Sequence, residues 1–427
     1  DAMPQSRIIL LRARWLADGL GSETRKDQEV LIEDGRIAAV RAKGAVAPPP
    51  EAEVLDLGDA CLAPGLIDGH THLSLTGDGR PYAEMFGETD EMMVLIGACN
   101  LRRHLAAGIT TIREHGARNR VGFMLKEGVR RGYVGGPRLV VSGRPITATG
   151  GHFHMCNEVA DGVDEVRRSV RRLVHEGADY IKIMASGGGT AGTIPGLPSY
   201  STAELTAAVE EAHHFHRLTA GHCRASESMR RAIEAGIDLM EHAEFLDPDN
   251  RLRFDPKLAE ILAESRIWIS PTLQASTSYA RILELQRRRD RLSPAEEDEL
   301  DHLEAKANAR LDVMRRLLDY GVRGRVVPGT DAGAGYVAFG HLDYDLQLLC
   351  RIGFSPAETL EAATRISAEA IGMGGEIGTI EAGKVADLVA FDGDPTRDVA
   401  AFSRVAAVFQ AGARIPLGDA ASPASGR

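Results

Sequence analysis

Nowhere in this 427-residue chain does an apolar run approach the roughly 18 residues that span a bilayer, so a membrane-spanning helix is not expected. Ile8-Ile-Leu-Leu11 is too short for the core of a secretory signal. Paired cysteines are also missing. The five present (Cys61, Cys99, Cys156, Cys223 and Cys350) are scattered and show no Cys-x-x-Cys spacing. That argues against a disulfide framework or a zinc finger and for reduced thiols in a cytoplasm. A basic surplus is absent too. The net charge of −11 and pI near 5.7 argue against a nucleic-acid partner, since phosphate binding needs a basic surface.

What the chain does have is 44% hydrophobic content, enough for one large core and a smaller one. Eight strand-like segments can be read: 65–72, 109–114, 138–142, 179–185, 219–222, 238–243, 267–273 and 325–330. Helical patterns separate them, as at Val163–His175, Ser201–Phe215 and Ser226–Ala235. Eight strands, each followed by a helix, predict a (β/α)8 TIM barrel over residues 64–371. Both ends read differently. Gln28–Glu33, Asp34-Gly35 and Arg36–Val40 make a hairpin signal, and Ala386–Phe391 and Val405–Gln410 read as further strands. A small β-sandwich domain built from both termini, residues 1–63 and 372–427, is therefore expected. The tail after Gly418, rich in Ala, Ser, Pro and Gly, is expected to be mobile. A charged helical insertion at 281–319 begins its second helix with the capping box Ser293-Pro-Ala-Glu296. It is expected to be a solvated helical hairpin or else a lid or subunit contact over the barrel mouth.

Five of the eight segments carry residues suited to holding metal. They are His70 and His72 in Pro64-Gly-Leu-Ile-Asp-Gly-His-Thr-His72, Lys182 in Tyr180-Ile-Lys-Ile-Met184, His222 in Ala220-Gly-His-Cys223, His242 in Met240-Glu-His-Ala-Glu244, and Asp331 in Pro328-Gly-Thr-Asp-Ala332. Residues i and i+2 of a strand point to one side, so His70 and His72 can share an ion. Imidazole nitrogens and carboxylate oxygens suit a divalent ion such as Zn²⁺. Lys182 lies among isoleucines where an ammonium would be costly. An uncharged amine there can react with CO₂ to give a carbamate, a two-oxygen anion able to bridge two cations. All these residues fall near the C-terminal ends of their strands, where barrels of this type place active sites.

This pattern resembles the amidohydrolase superfamily, specifically its binuclear group with a carboxylated lysine. Gly150-Gly-His152, Ile181-Lys-Ile-Met-Ala-Ser-Gly-Gly188 and Gly378-Thr-Ile-Glu-Ala-Gly-Lys-Val-Ala-Asp-Leu-Val389 are similar to the branch holding Xaa-Pro dipeptidases, imidazolonepropionase-like proteins and some xenobiotic amide hydrolases. The resemblance implies two divalent ions, zinc being expected, bridged by carboxylated Lys182. His70, His72 and Asp331 would hold one ion and His222 and His242 the other. It also implies that His152 contacts the scissile carbonyl and that Asp331 serves as the proton acceptor.

His115 and His154 also follow strands on the catalytic side and are candidate substrate contacts. His115 departs from the Asp-x-Gly-Gly texture usual in this branch, which leaves its role open. Arg224 stands two residues beyond His222, so its side chain is aimed into the mouth. Its fork could hold a substrate carboxylate, or it could form a structural ion pair with Glu244. His104, His175, His213, His214, His216 and His302 lie in helical stretches and are expected to be packed or solvent-facing.

The expected activity is metal-dependent hydrolysis of an amide-type C–N bond in a dipeptide, N-acyl amino acid or related amide. A xenobiotic urea or carbamate, or a cyclic amide, would suit the same centre. A mononuclear deaminase would place His-x-x-Glu near the fifth strand and needs no bridging lysine. A catalytically dead scaffold would lack some of the ligands. A small-molecule substrate, no membrane or nucleic-acid partner and a homo-oligomeric assembly complete the expectation.

Overall fold

The computed structural model describes residues 7–21 and 23–417, so the tail expected to be mobile lies outside the described residues. The first five strands are β1 (Ile8–Leu16), β2 (Arg25–Glu33), β3 (Arg36–Ala42), β4 (Glu53–Asp56) and β5 (Cys61–Pro64). The parallel strands follow: β6 (Leu66–Thr71), β7 (Ile109–Glu114), β8 (Arg138–Val141), β9 (Tyr180–Ile183), β10 (Leu218–Ala225), β11 (Leu239–Leu246) and β12 (Trp268–Ser270). The chain closes with β13 (Leu388–Phe391), β14 (Val405–Gln410) and β15 (Ala413–Ile415).

The terminal strands form one eight-stranded sheet in the order β15-β14-β13-β5-β1-β2-β3, with β4 paired to β1. The expected sandwich is thus a single hydrogen-bonded sheet that joins both chain ends. Its hairpin turn is the one the sequence specifies. Asp34 and Gly35 take φ of 48° and 81°, both left-handed, as a type I′ turn requires. Ile9, Leu11, Val30, Ile32, Leu388 and Phe409 pack into a core of its own beneath this sheet.

The parallel strands form two sheets, β6-β7-β8 and β12-β11-β10-β9. Isolated bridges continue both: Ile146 to Ile183, Ile269 to Val326 and Thr71 to Ala332. The predicted eighth strand, 325–330, does not form a ladder of its own. Pro328 has no N–H to give, and the Thr330 N–H goes to the Asp68 carboxylate at 3.0 Å instead of to a neighbouring strand. Val327 N donates to Ile269 O on one side, and Pro328 O accepts from Gly69 N on the other, so this extended segment lies between β12 and β6. Ile67, Val140, Tyr180, Ala220, Leu239 and Val327, one from each of six parallel segments, meet Ile366 and Ile371 in one apolar cluster.

Most helices follow their sequence signals. The helix Thr202–His214 begins with a capping box of Ser201 and Glu204, and Ser226–Ala235 has the bounds its periodicity gives. The charged insertion starts slightly earlier than expected, as helices Ser278–Arg289 and Pro294–Leu318. Ser293 and Glu296 cap the second as predicted. This hairpin is more than a solvated appendage, because Leu311, Met314 and Leu317 are buried in the main core. Among the described residues no helix is long and apolar enough to cross a membrane.

Candidate metal centre

At the end of β6 the alternation of side chains places His70 and His72 together. Their Nε2 atoms lie 3.3 and 3.4 Å from Asp331 Oδ1. Those separations resemble the edge of a tetrahedron with metal–ligand bonds of roughly 2.0–2.1 Å, and the three donors form a group able to hold a metal ion. Asp331 reaches them from a left-handed residue, φ 62°, whose N–H donates to His70 O at 2.9 Å. Burial pushes the Asp331 carboxyl up, but His70 and His72 outweigh that and hold it well below the ordinary carboxylate range.

Across the site, His222 and His242 face each other with Nδ1 and Nε2 only 2.9 Å apart. The opposite nitrogen of each ring is already engaged. His222 Nε2–H donates to Gly187 O at 3.1 Å. The Thr272 hydroxyl gives its proton to Pro271 O, so it accepts from His242 Nδ1–H at 2.7 Å. Two lone pairs therefore confront one another, an arrangement that a shared cation relieves. Burial first, and the close approach of other basic groups second, hold both rings well below the usual histidine pKa, which favours the neutral form that a ligand needs.

Lys182 lies between these two groups on β9. It is fully buried, and its Nζ has no hydrogen-bond partner among the described residues. Burial pushes its ammonium down to about 8, against the opposing pull of Glu241 and Asp331. An orphaned amine amid four imidazoles and a carboxylate suits a centre completed by cations and by a group added to the lysine. The six expected ligands are thus brought together, and the donor set fits divalent ions.

Several supporting residues were not anticipated. Glu241 Oε2 accepts from His70 Nδ1–H at 2.7 Å, which leaves His70 Nε2 as the free donor atom. Strand alternation would turn Glu241 away from the side His242 faces. Left-handed φ values of 66° at His242 and 49° at Ala243 break the alternation, so both side chains reach the centre. The sequence carries no signal for that. Asp68 was more legible, since it stands two residues before His70 on the same strand face. Its carboxylate takes the His70 and Thr330 N–H groups at 3.1 and 3.0 Å and the Thr330 hydroxyl at 2.7 Å, fixing together the two segments that carry His70 and Asp331. His104 completes this clasp, 3.1 Å from Asp68, as a packed rather than solvent-facing histidine.

Glu241→Gln is expected to raise the metal dissociation constant by about tenfold or more, as loss of an outer partner to a ligating histidine typically does. Competition with a chelator measures it, and an unchanged constant would mean that Glu241 does not orient His70.

The four candidate substrate contacts separate. His152 approaches His222, with ring centroids 4.6 Å apart, and its Nδ1 is 2.8 Å from Thr190 Oγ1. It has room only because residue 188 is glycine, where a Cβ would fall 2.5 Å from His152 Nε2. His115 is not at the mouth. It is fully buried beneath His70, stacked at 3.9 Å with an interplanar angle of 14°, and its Nε2 donates to Gly69 O at 2.8 Å. A residue sealed on the core side cannot touch substrate. His154 bonds its own loop through Gly151 O at 2.9 Å, and no hydrogen bond or ring contact among the described residues joins it to the centre. Arg224 lies at the mouth and gives its Nε–H to Glu244 Oε2 at 2.6 Å.

Arg310, from the inserted helix, is a further surprise. Almost fully buried, it donates to Pro271 O at 2.9 Å and also to His242 O, and its Nε is 3.9 Å from Glu244. It therefore ties the middle of β11 to the segment just past β12, where His242 and Thr272 both have left-handed backbone. Beside it opens a cavity of about 560 Å³ lined by Gly188, Arg224, Glu244, Leu246, Leu252 and Lys306 among others.

Comparison with known proteins agrees with this geometry. The chain matches the amidohydrolase family over residues 61–415. It is 26% identical to the ochratoxinase of Aspergillus niger over 438 aligned positions, covering 95% of this chain and 85% of that one. The imidazolonepropionase of Symbiobacterium thermophilum is 25% identical, with 86% of this chain and 85% of the other covered. Among solved structures, a Xaa-Pro dipeptidase with methionine bound in its active site superposes with a TM-score of 0.81. That pair is 25% identical and covers 96% of this chain and 99% of the other.

Proposed function

We propose that this chain, which belongs to the amidohydrolase family, hydrolyses an amide-type C–N bond at a centre of two divalent ions, zinc being the expected metal. The ochratoxinase and Xaa-Pro dipeptidase similarities support an amide substrate. The observation that carries the reading is the orphaned Lys182 Nζ set among the five other donors. Addition of the uncharged amine to CO₂ forms an N–C bond and releases one proton, giving a carbamate whose two oxygens can bridge the ions. His70, His72 and Asp331 would hold one ion, and His222 and His242 the other. Ions bound there would activate water and polarise the scissile carbonyl.

The protein's own groups supply the rest. Asp331, anionic beside His70 and His72, takes a proton from the attacking water and delivers it to the leaving nitrogen. His152, held by Thr190 and given space by Gly188, is placed to steady the carbonyl oxygen as charge develops on it. Asp68 and Glu241 keep the donors in register. The two parallel sheets and the bridges between them are read as one (β/α)8 barrel spanning 64–371, with the terminal sheet as a second domain from 1–63 and 372–427.

The test measures metal per subunit and screens dipeptides, N-acyl amino acids, aryl amides, ureas and carbamates. Near two ions per subunit with release of an amine from an amide is the expected result. One ion with ammonia released from a ring substrate would indicate a deaminase, and no metal with no turnover would indicate a scaffold. Either would overturn the proposal.

A further inference from the structure

One of the two largest fully buried side chains among the described residues, Arg113, has no part in the mechanism above. It stands two residues before His115 at the end of β7, so the two share one side of that strand. Its guanidinium lies over the Tyr180 ring, 3.9 Å from the centroid. That ring is fixed in turn, its hydroxyl donating to Glu114 O at 2.7 Å. Yet Nε and Nη1 of Arg113 bond no acceptor among the described residues. A buried arginine held by packing alone contributes little that an apolar side chain could not. Its charge therefore points to another task.

That charge faces Glu241. Arg113 Nη1 is 4.0 Å from Glu241 Oε1, an oxygen that likewise has no hydrogen-bond partner among the described residues. The other oxygen, Oε2, accepts from His70 Nδ1–H at 2.7 Å. His115 Nε2 stands 3.5 Å from Oε1 with its proton given to Gly69 O, and its ring backs His70 at 3.9 Å. All four side chains are buried, so little solvent screens the charge pair. His70, His115 and Glu241 also lie close enough to hold an ion of their own. That role does not suit them, because both ring protons are already spent and the guanidinium supplies the cation. We propose that Arg113 is a positioning residue of the metal centre that acts through Glu241. Its charge anchors one carboxylate oxygen, so that the other holds the His70 ring with Nε2 turned to the ion position. His115 is the wall against which that ring rests. This depends on the hydrolase reading above only for what His70 then binds, and it adds a residue that touches neither ion nor substrate.

The test has one arm without metal and one with it. In the metal-free protein, nitrogen-15 spectra of labelled histidine report which ring nitrogen of His70 carries the proton, its signal being the one lost in His70→Asn. The wild type should show Nδ1–H, and Arg113→Met should move the ring toward Nε2–H. In the second arm a chelator competes for zinc. Arg113→Met should raise the zinc dissociation constant by about tenfold, as loss of an outer partner does, and Arg113→Lys should recover most of that loss. Weakened packing alone would lower the melting temperature and leave both readouts where they were. Should Arg113→Met fail to fold, Glu241→Gln is compared with the double change Arg113→Met and Glu241→Gln, which leaves neither buried charge alone. If Arg113 acts through Glu241, the second change adds no more than about twofold to the first. A larger added loss, an unmoved His70 tautomer in Arg113→Met or an unchanged zinc constant would overturn the proposal. A wild type that binds no zinc would sink the hydrolase reading instead, and the metal-free arm would still decide whether Arg113 sets His70.

Discussion

Lys182→Ala is expected to lose most of its bound metal and nearly all turnover, the largest effect of any single change in this chain. The reason lies in burial. No described residue satisfies Lys182 Nζ, yet the residue is fully enclosed, and its charge acts on His72, His222 and His242 and is felt with that of Asp331. If its carbamate links the two ion positions, an alanine there leaves two separate half-sites, one of three donors and one of two. Each then binds far more weakly than the joined set, because metal affinity follows ligand number and preorganisation. Short carboxylic acids should restore part of both metal content and activity, since they fill the vacated space with two oxygens. Elemental analysis and turnover in the presence of acetate or propionate read this out. A variant with wild-type metal content and activity would end the carboxylated-lysine reading.

The second large effect separates two roles of one residue. Asp331→Asn keeps an oxygen for the ion but cannot accept a proton, so metal content should change little. General acid–base catalysis contributes about 10²–10⁴-fold, so kcat should fall at least that far. Retention of more than about a tenth of wild-type kcat with normal metal would make Asp331 a ligand only. The proton would then have to be carried elsewhere. His152 is the nearest histidine open to that role, because His115 is sealed beneath His70 and His154 is bonded into its own loop.

The central architecture was legible because it rests on local, periodic signals. Seven of the eight predicted parallel strands form, and Ile109–Glu114 and Ser226–Ala235 have the bounds read from the sequence. The eighth failed where a side chain replaced a backbone partner. Asp68 claims the Thr330 N–H, and Pro328 offers none, so an extended apolar segment makes bridges rather than a ladder. The six candidate ligand positions, which the structure brings near one another, could be picked out by parity and order along the chain. Glu241 could not, since reading it requires knowing that His242 and Ala243 leave the β region. Strand alternation is silent about left-handed residues outside glycine. Arg310 was hidden for a different reason. It sits in a helix rich in charge, where one more arginine gives no hint of burial, and only tertiary contacts distinguish it from its exposed neighbours.

That arginine changes how the inserted hairpin should be treated by anyone recombining this scaffold. Segments that interrupt a barrel late in the chain invite exchange, because they look like modules whose loss the core would tolerate. Here the module holds the backbone of His242, a candidate ligand, and lines one wall of the cavity beside the candidate centre. Grafting a foreign hairpin between β12 and residue 319 would therefore disturb the backbone at His242 together with the shape of that cavity. The candidate centre and the cavity beside it are in this sense inherited as a single unit, and a chimera that is to keep both must set an arginine at position 310 against the Glu244 of β11.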